Sequence, residues 1–152
     1  AAPARSTSWS GAEVGRQELT LATYRRNLAQ GRLTGSRCLK CGERYLPPRP
    51  ICARCHATRM ELSDFKGEGT VAGFASVSVP GPTMADRGHG SDNPYMTALI
   101  ILSEGPGVTA RIAAPNPASP DGGVRVGMPV TADFTSEGDG EEATVTLVFK
   151  PR

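Results

Sequence analysis

All four cysteines of the chain lie in one short segment, CLKCGERYLPPRPICARC. They form two Cys-x-x-Cys pairs, namely Cys38 with Cys41 and Cys52 with Cys55. Each pair can place two thiolates on one tight turn, and two such turns facing each other provide a tetrahedral sulfur site. That geometry suits zinc, whose bonds to cysteine sulfur are about 2.3 Å long. The spacing therefore predicts a structural zinc site that four protein ligands close.

The residue that follows each pair suits a tight turn. Gly42 directly follows Cys41, where the turn needs a residue that tolerates positive φ. His56 takes the same place in the second turn, and histidine is enriched at positive φ among non-glycine residues. His56 as a zinc ligand or outer hydrogen-bond donor remains an alternative, although four thiolates already complete the site. Iron is another alternative, because four thiolates also bind iron in rubredoxin-like electron carriers.

The other functional side chains form no evident catalytic constellation. His89 is the only histidine besides His56, and it lies in a Gly/Pro-rich stretch over 80–94 with Asp86, Arg87 and Asp92. A general base there is the alternative to an ordinary exposed histidine. A triad of His89 with its neighbours is disfavoured, because triads bring together residues that are distant in sequence. No phosphate-binding loop or dinucleotide fingerprint is present. The sequence predicts no catalytic residues in this chain.

A helix is predicted before the cysteine segment. Residues 10–13 have the pattern of a capping box. Apolar residues then recur at helical spacing: Val14, Leu21, Tyr24 and Leu28. This predicts one amphipathic helix, or two short ones, over 12–30, with Gly31 as the stop. Its apolar stripe packs either on its own domain or on a partner protein.

The cysteine segment itself predicts a zinc ribbon. Residues 31–37 are expected to form a short strand that leads into the first cysteine pair. Between the pairs, residues 45–50 contain three prolines, so the segment is stiff, extended and unable to form a helix. We expect it to supply the strand and turn of the ribbon.

From Gly67 onward the apolar residues recur with period two, which is typical of strands. Five strands are predicted, over 71–79, 95–102, 108–112, 130–134 and 145–149. Gly73 marks a bend or bulge in the first of them, and a short extended piece is expected at 124–126. The acidic residues 137–142 are expected to form a solvated turn. Five strands with a long first strand and a long first loop predict a small closed barrel of the OB type.

Charge is distributed unevenly along the chain. Residues 1–66 carry 12 Lys/Arg and 5 Asp/Glu, whereas residues 67–152 carry 5 and 10, which gives +7 and −5 and sums to the net +2. A basic surface attracts phosphates of nucleic acids or of phosphorylated cofactors. No apolar run approaches the ~18 residues of a membrane span. The first residues lack the apolar region of a secretory signal, and paired thiols suit a reducing compartment, so a cytoplasmic location is expected.

The order and spacing of several segments resemble one known family. The most telling are GRLTGSRCLKCGERYLPPRPICARC, GEGTVAGFASV, NPYMTALIILSEGPGVTARI and VGMPVTADF. Over about residues 18–151 the chain is similar to the zinc-ribbon/OB-fold accessory proteins of acyl-CoA metabolism. One departure is CARCH, where that family often has Cys-Pro-x-Cys-Gly, and it removes no zinc ligand. The resemblance implies a mainly β fold with an N-terminal helical segment, a rubredoxin-like zinc ribbon and a five-stranded OB-fold barrel.

The resemblance also implies a function. Members of this family are usually not enzymes alone but associate with thiolases or thiolase-like enzymes, and some pair with a hydratase. The OB part helps to hold the coenzyme A (CoA) portion of the substrate while the partner supplies the catalytic residues. The back half of this chain looks more like the thiolase-partnering members. We therefore expect an acyl-CoA-binding accessory subunit in a hetero-oligomer, for example with two copies of each chain.

The expected division of the chain is an arm and helical docking segment over 1–31, the zinc ribbon over 32–66 and the OB fold over 67–152. CoA carries several negative charges, and arginine binds phosphate oxygens bidentately. The candidate contacts to CoA or to the partner are Arg37, Lys40, Arg44, Arg49, Arg54, Arg59 and Tyr95. For each basic residue the alternative is an ordinary solvated charge on the ribbon surface.

Ribbons and OB barrels also occur in nucleic-acid-binding modules, which is the competing function. Such a module needs a basic groove with aromatic side chains on which bases stack. Here the barrel half is net −5, and its few aromatic residues other than Tyr95 lie in strand patterns that predict core packing. The sequence therefore favours the acyl-CoA accessory function.

Overall fold

A computed structural model describes residues 18–137 and 144–152, and in them the fold is mainly β. One short helix leads into a three-stranded ribbon sheet, which is followed by a closed five-stranded barrel. The elements are α1 (Leu21–Ala29), β1 (Leu33–Cys38), β2 (Arg44–Tyr45), β3 (Met60–Phe65), β4 (Glu68–Val77), α2 (Pro82–Ala85), β5 (Tyr95–Leu102), β6 (Gly107–Ile112), β7 (Pro129–Glu137) and β8 (Thr144–Pro151). The predicted helix, zinc ribbon and five-stranded OB-like barrel are confirmed.

Helix α1 is shorter than predicted. It begins at Leu21 because Thr20 is its N-cap, with the Thr20 side chain accepting a hydrogen bond from the Thr23 backbone N–H at 3.2 Å. Residues 18–20 are not helical, so a single helix through them is wrong. The predicted capping box at 10–13 and Val14 lie outside the described residues. Gly31 has φ 71° just beyond the helix, as predicted for the stop.

The ribbon sheet has the strand order β2-β1-β3 and is antiparallel throughout. Strand β3 was not predicted, because the alternation in MELSDF is short and is interrupted by two adjacent polar residues, Ser63 and Asp64. Its pairing with β1 holds it, and Asp64 accepts hydrogen bonds from Arg32 at 2.7 Å and from Thr34 at 2.8 Å. Of residues 45–50, which were predicted to be extended, only Tyr45 lies in strand β2, since the prolines that follow have no N–H to donate.

The barrel has the strand order β4-β5-β6-β8-β7, with β6 and β8 parallel and the other neighbours antiparallel. The register of β4 against β5 shifts between Val71 and Gly73, which confirms the predicted bulge. Strand β4 ends at Val77, before the predicted limit, and Val79 is 88% exposed beyond it. The loop after β4 contains the single turn α2.

One continuous apolar core joins the ribbon to the barrel. The fully buried residues of the barrel include Val71, Ile100, Val130 and Phe149, and the same cluster contains Leu28 of α1, Leu33 of β1 and Phe65 of β3. Val124 is also fully buried, although residues 124–126 form no strand. Within the described residues, no helix is long and apolar enough to cross a membrane.

Candidate metal centre and surrounding surface

The four cysteine sulfurs form one compact cluster. All four Sγ atoms lie within 4.8 Å of one another, with Cys38 to Cys55 at 3.6 Å and Cys41 to Cys52 at 3.5 Å. A tetrahedral zinc site with bonds of ~2.3 Å has sulfur–sulfur edges of about 3.8 Å. The cluster therefore fits zinc in both geometry and donor chemistry. Zinc bound by these four thiolates cross-links the two turns and leaves no position for a substrate.

The two turns have the predicted backbone conformations. Gly42 has φ 78° and its N–H donates to the Cys38 carbonyl at 2.9 Å. His56 has φ 57° and its N–H donates to the Cys52 carbonyl at 2.9 Å. In the part of the chain that the structure describes, the ligand cluster contains the four cysteines and not His56. His56 therefore serves the turn through its backbone.

Tyr45 contacts the cluster from β2, a role that the sequence did not reveal. Its hydroxyl lies 3.3 Å from Cys52 Sγ and accepts hydrogen bonds from the N–H groups of Ala53 at 3.1 Å and Arg54 at 3.3 Å. The hydroxyl is the largest cause that lowers the pKa of the Cys52 thiol, to about 6. The Arg49 guanidinium lies 5.4 Å from the centre of the Tyr45 ring. Tyr45 thus favours the thiolate that a metal needs and orders the second turn.

The basic residues predicted to contact CoA or a partner are distributed around the ribbon. Arg37 and Arg44 are direct cross-strand neighbours on β1 and β2, and Glu61 of β3 is opposite Arg37 on its other side. Arg54 is bonded to Glu43 at 3.1 Å. Arg59 lines a groove beside α1. Only the Arg37 and Arg44 pair places two of these cations directly opposite each other.

Tyr95 lies apart from the basic ribbon residues, in a cavity on the barrel. Its ring packs edge-on against His89, with ring centres 5.2 Å apart, and Arg111 and Lys150 line the same cavity of about 330 Å³. The net negative charge of the back half concealed this local basic group. One indication of it is present in the sequence: Arg111 alternates with the apolar residues of its strand and was therefore expected to point away from the core.

A half-buried carboxylate in the lining of this cavity connects the long loop to the barrel. Glu137 pairs with Arg87 of the loop and with Arg111 of β6, and it accepts a hydrogen bond from the Thr146 hydroxyl at 3.1 Å. Burial raises the pKa of Glu137, but Arg111, Thr146 and Arg87 together outweigh burial and hold the pKa below its usual range. The 80–94 loop is therefore attached to the barrel through Glu137, because this carboxylate pairs with an arginine of the loop and with an arginine of the barrel.

Comparison with known proteins identifies the family. The family model "ChsH2, rubredoxin-like zinc ribbon domain" matches residues 26–61, and "ChsH2, C-terminal OB-fold domain" matches residues 63–135. A "DUF35 domain-containing scaffold protein" of Methanothermobacter thermautotrophicus is 31% identical over 134 residues, which are 88% of this chain and 96% of that protein. The chain belongs to the DUF35 family. A DUF35 scaffold protein of Methanocaldococcus jannaschii is also 31% identical, over 89% of this chain and 91% of that one.

Solved DUF35 structures share the fold. A chain of the "Ltp2-ChsH2(DUF35) aldolase" superposes with a TM-score of 0.68 at 26% identity and covers 90% of this chain and 98% of that chain. A DUF35 protein of unknown function from Sulfolobus solfataricus superposes with a TM-score of 0.58 at 22% identity, over 86% and 84% of the two chains. The resemblance found in the sequence is thus confirmed.

In this DUF35 chain, replacing Tyr45 with phenylalanine is expected to weaken zinc binding by about tenfold, the lower end of the effect of losing an outer hydrogen bond to a ligand. The ring and its packing remain, so the lost hydroxyl alone is tested. Competition with a chromogenic chelator measures the affinity. Tyr95→Phe is the matched control, because Tyr95 lies on the barrel and its variant should bind zinc normally. Equal affinities of Tyr45→Phe and the unsubstituted chain would contradict this role.

Proposed function

We propose that this chain is a non-catalytic accessory subunit of an acyl-CoA enzyme complex, whose catalytic subunit is thiolase-like. One observation carries the proposal: nearly the whole chain superposes on a DUF35 chain whose structure is named an Ltp2-ChsH2(DUF35) aldolase. The name "scaffold protein" of two curated relatives points the same way. The catalysed reaction forms or breaks a carbon–carbon bond of an acyl-CoA, and the partner supplies the residues that do so.

The side chains of this chain support a non-catalytic role. Its four cysteines are all committed to the metal cluster, so no thiol is left as a nucleophile. His89 directs Nδ1 at the Asn93 carbonyl oxygen, 3.1 Å away, rather than at a serine or carboxylate of its loop. A catalytic histidine needs an orienting partner and a substrate proton within hydrogen-bond reach. The loop therefore supplies no assembled acid–base pair among the described residues.

The pair of Arg37 and Arg44 is our proposed contact for the phosphates of CoA. Side chains of directly opposite residues share one face of a sheet, and like charges there are destabilising. Glu61 of β3 lies directly opposite Arg37, where its carboxylate would compensate one of the two cations. A bound phosphate would compensate the other and accept bidentate hydrogen bonds. The remaining ribbon cations and Tyr95 then contact the partner or more distant parts of the ligand.

We further propose that the complex is a cytoplasmic hetero-oligomer, for example with two copies of each chain. A reducing compartment keeps the four cysteines as thiolates for the metal rather than as disulfides. The acyl group would enter the active site of the partner, while this chain holds the outer, phosphate-bearing end of CoA. In this arrangement each subunit binds a different part of the same acyl-CoA molecule.

Affinity purification of the tagged chain from its source cells tests the proposal. We expect a thiolase-like protein to copurify in a constant ratio and to be identifiable by mass spectrometry. Recovery of a hydratase in that ratio would replace the partner class but keep the accessory role. Recovery of the chain alone, together with no response of its thermal unfolding to acyl-CoA, would overturn the proposal.

The same complex tests the CoA contact. Arg37→Gln combined with Arg44→Gln is expected to weaken CoA binding to the complex by about tenfold or more, because a charge-assisted hydrogen bond contributes ~1.5–3 kcal/mol. Dephospho-CoA and CoA compared by calorimetry show which phosphate is involved. Arg125→Gln, an exposed arginine of the barrel half, is the matched control. Unchanged affinity in the double variant would exclude this pair as the phosphate contact.

A further inference from the structure

An open apolar groove lies between the start of α1 and the two cysteine turns. Its volume is about 800 Å³. Leu19 and Thr20 line it on the helix side, and Leu39, Ile51 and Met60 line it on the ribbon side. Leu39 and Ile51 are 49% and 52% exposed, respectively, although each is a large apolar residue. The groove is therefore a concave apolar surface that the described part of this chain leaves open.

The ribbon wall of the groove is built on the metal site. Leu39 directly follows ligand Cys38, and Ile51 directly precedes ligand Cys52. The Leu39 N–H donates to the Arg59 carbonyl at 2.9 Å, which connects the first turn to the segment leading into β3. Closure of four thiolates on one ion fixes the two turns relative to each other. The shape of the groove consequently depends on the metal.

The charge around the groove indicates what it would bind. The ribbon over 32–66 carries eight Lys/Arg and three Asp/Glu, a net charge of +5. Asp64 and Glu43 are already paired with Arg32 and Arg54. Arg59 lines the groove and makes no ion pair with any residue in 18–137 or 144–152. Glu18 is the single carboxylate in the lining, on the helix side. The ribbon side of the groove thus presents apolar side chains beside Arg59, a cation with no ion-pair partner among the described residues.

We propose that this groove docks an apolar segment of the thiolase-like subunit that carries carboxylates beside its apolar side chains, and that zinc holds the groove in shape. The inference rests on the proposed function, since it assigns the surface through which that partner binds. Large apolar side chains inserted into a concave pocket are the usual energetic centre of an interface. Opposite charges at the edge of the pocket steer the partner and favour the correct orientation.

A second exposed apolar pair provides the matched control. Leu99 and Ile101 of β5 are 44% and 43% exposed on the barrel surface and line none of the groove. Aspartate at both of these positions changes surface polarity as much as aspartate at Leu39 and Ile51. The two double variants therefore make the same chemical change at different positions, one inside the groove and one outside it.

The experiment measures binding of the purified thiolase-like subunit to the zinc-loaded full-length chain by calorimetry, with zinc content determined in parallel. Leu39→Asp with Ile51→Asp is expected to weaken binding by about thirtyfold or more, as loss of an interface centre does, with one zinc per chain retained. Leu99→Asp with Ile101→Asp should bind within about threefold of the unsubstituted chain. Arg59→Glu should weaken binding more at low salt than at high salt.

A photo-cross-linking amino acid keeps the proposal testable if the double variant loses zinc. Placed at position 51, it should cross-link to the thiolase-like subunit, and placed at position 126, where Val126 is 66% exposed on the barrel half, it should not. Normal affinity of the zinc-loaded groove variant would overturn the docking assignment alone. Intact partner binding with loss of acyl-CoA binding would assign the groove to the acyl ligand and also overturn it. Absence of any complex with the unsubstituted chain would overturn the proposed function as well.

Discussion

Replacing Cys52 with serine is expected to remove zinc, unfold the ribbon sheet and release the partner subunit together. Cys52 is fully buried, lies 3.5 Å from Cys41 Sγ and accepts the contact from the Tyr45 hydroxyl. Structural zinc contributes about 10–16 kcal/mol of binding free energy in small zinc-binding peptides. Apart from ligand Cys38, the buried apolar residues of the ribbon strands are Leu33 and Phe65, which pair at the end remote from the cysteines. Packing at the metal end therefore cannot replace that contribution. Cys38→Ser should have the same effect, because Cys38 is equally buried.

Zinc content by atomic emission, circular dichroism and partner binding measure the three consequences. Cys41→His is the matched control, since Cys41 is an exposed ligand and zinc accepts three thiolates with one imidazole. The control should keep zinc and partner. Continued association of a zinc-free Cys52→Ser chain with its partner would show that the ribbon is dispensable for docking.

Gly35→Ala is expected to destabilise the ribbon by about 3 kcal/mol or more, at or beyond the upper end of the overpacking range. A methyl group on Gly35 would lie 2.1 Å from the Tyr45 carbonyl oxygen and 2.5 Å from a ring carbon of Phe65. The first neighbour is backbone and cannot rotate away, so β2 must move. That movement takes the Tyr45 hydroxyl away from Cys52, and zinc affinity should fall together with stability.

Urea unfolding and chelator competition measure the two effects of Gly35→Ala. Gly73→Ala is the matched control, because Gly73 also lies in a strand but a methyl group there meets no atom within 4 Å. The control should change the free energy of unfolding by less than about 1 kcal/mol. Similar stability in the two variants would contradict the close approach of β1 and β2.

The sequence predicted those features that depend on local spacing. The cysteine pairs specified the ligands, and Gly42 and His56 indicated the positive φ that both turns adopt. Period-two alternation located all five barrel strands, and Gly73 located the bulge. Each of these signals lies within a few residues, so no long-range contact was needed to recognise it.

Features that depend on distant contacts could not be predicted in this way. Strand β3 has only a short, interrupted alternation and is held by its pairing with β1. Val124 is buried by the surrounding barrel although its own segment is irregular. The Tyr45 hydroxyl contacts the Cys52 sulfur only in the folded ribbon, so the sequence does not reveal this contact. The basic group around Tyr95 was hidden, because summing charge over the back half averages Arg111 and Lys150 with distant acidic residues.

The proposed accessory function is tested most directly by the activity of the thiolase-like subunit during titration with the purified, zinc-loaded chain. We expect acyl-CoA turnover to rise to a plateau at a fixed ratio of the two chains, and this chain alone to show no turnover. Turnover by this chain alone, or a partner whose rate and CoA affinity are unchanged by saturating amounts of it, would contradict the accessory function.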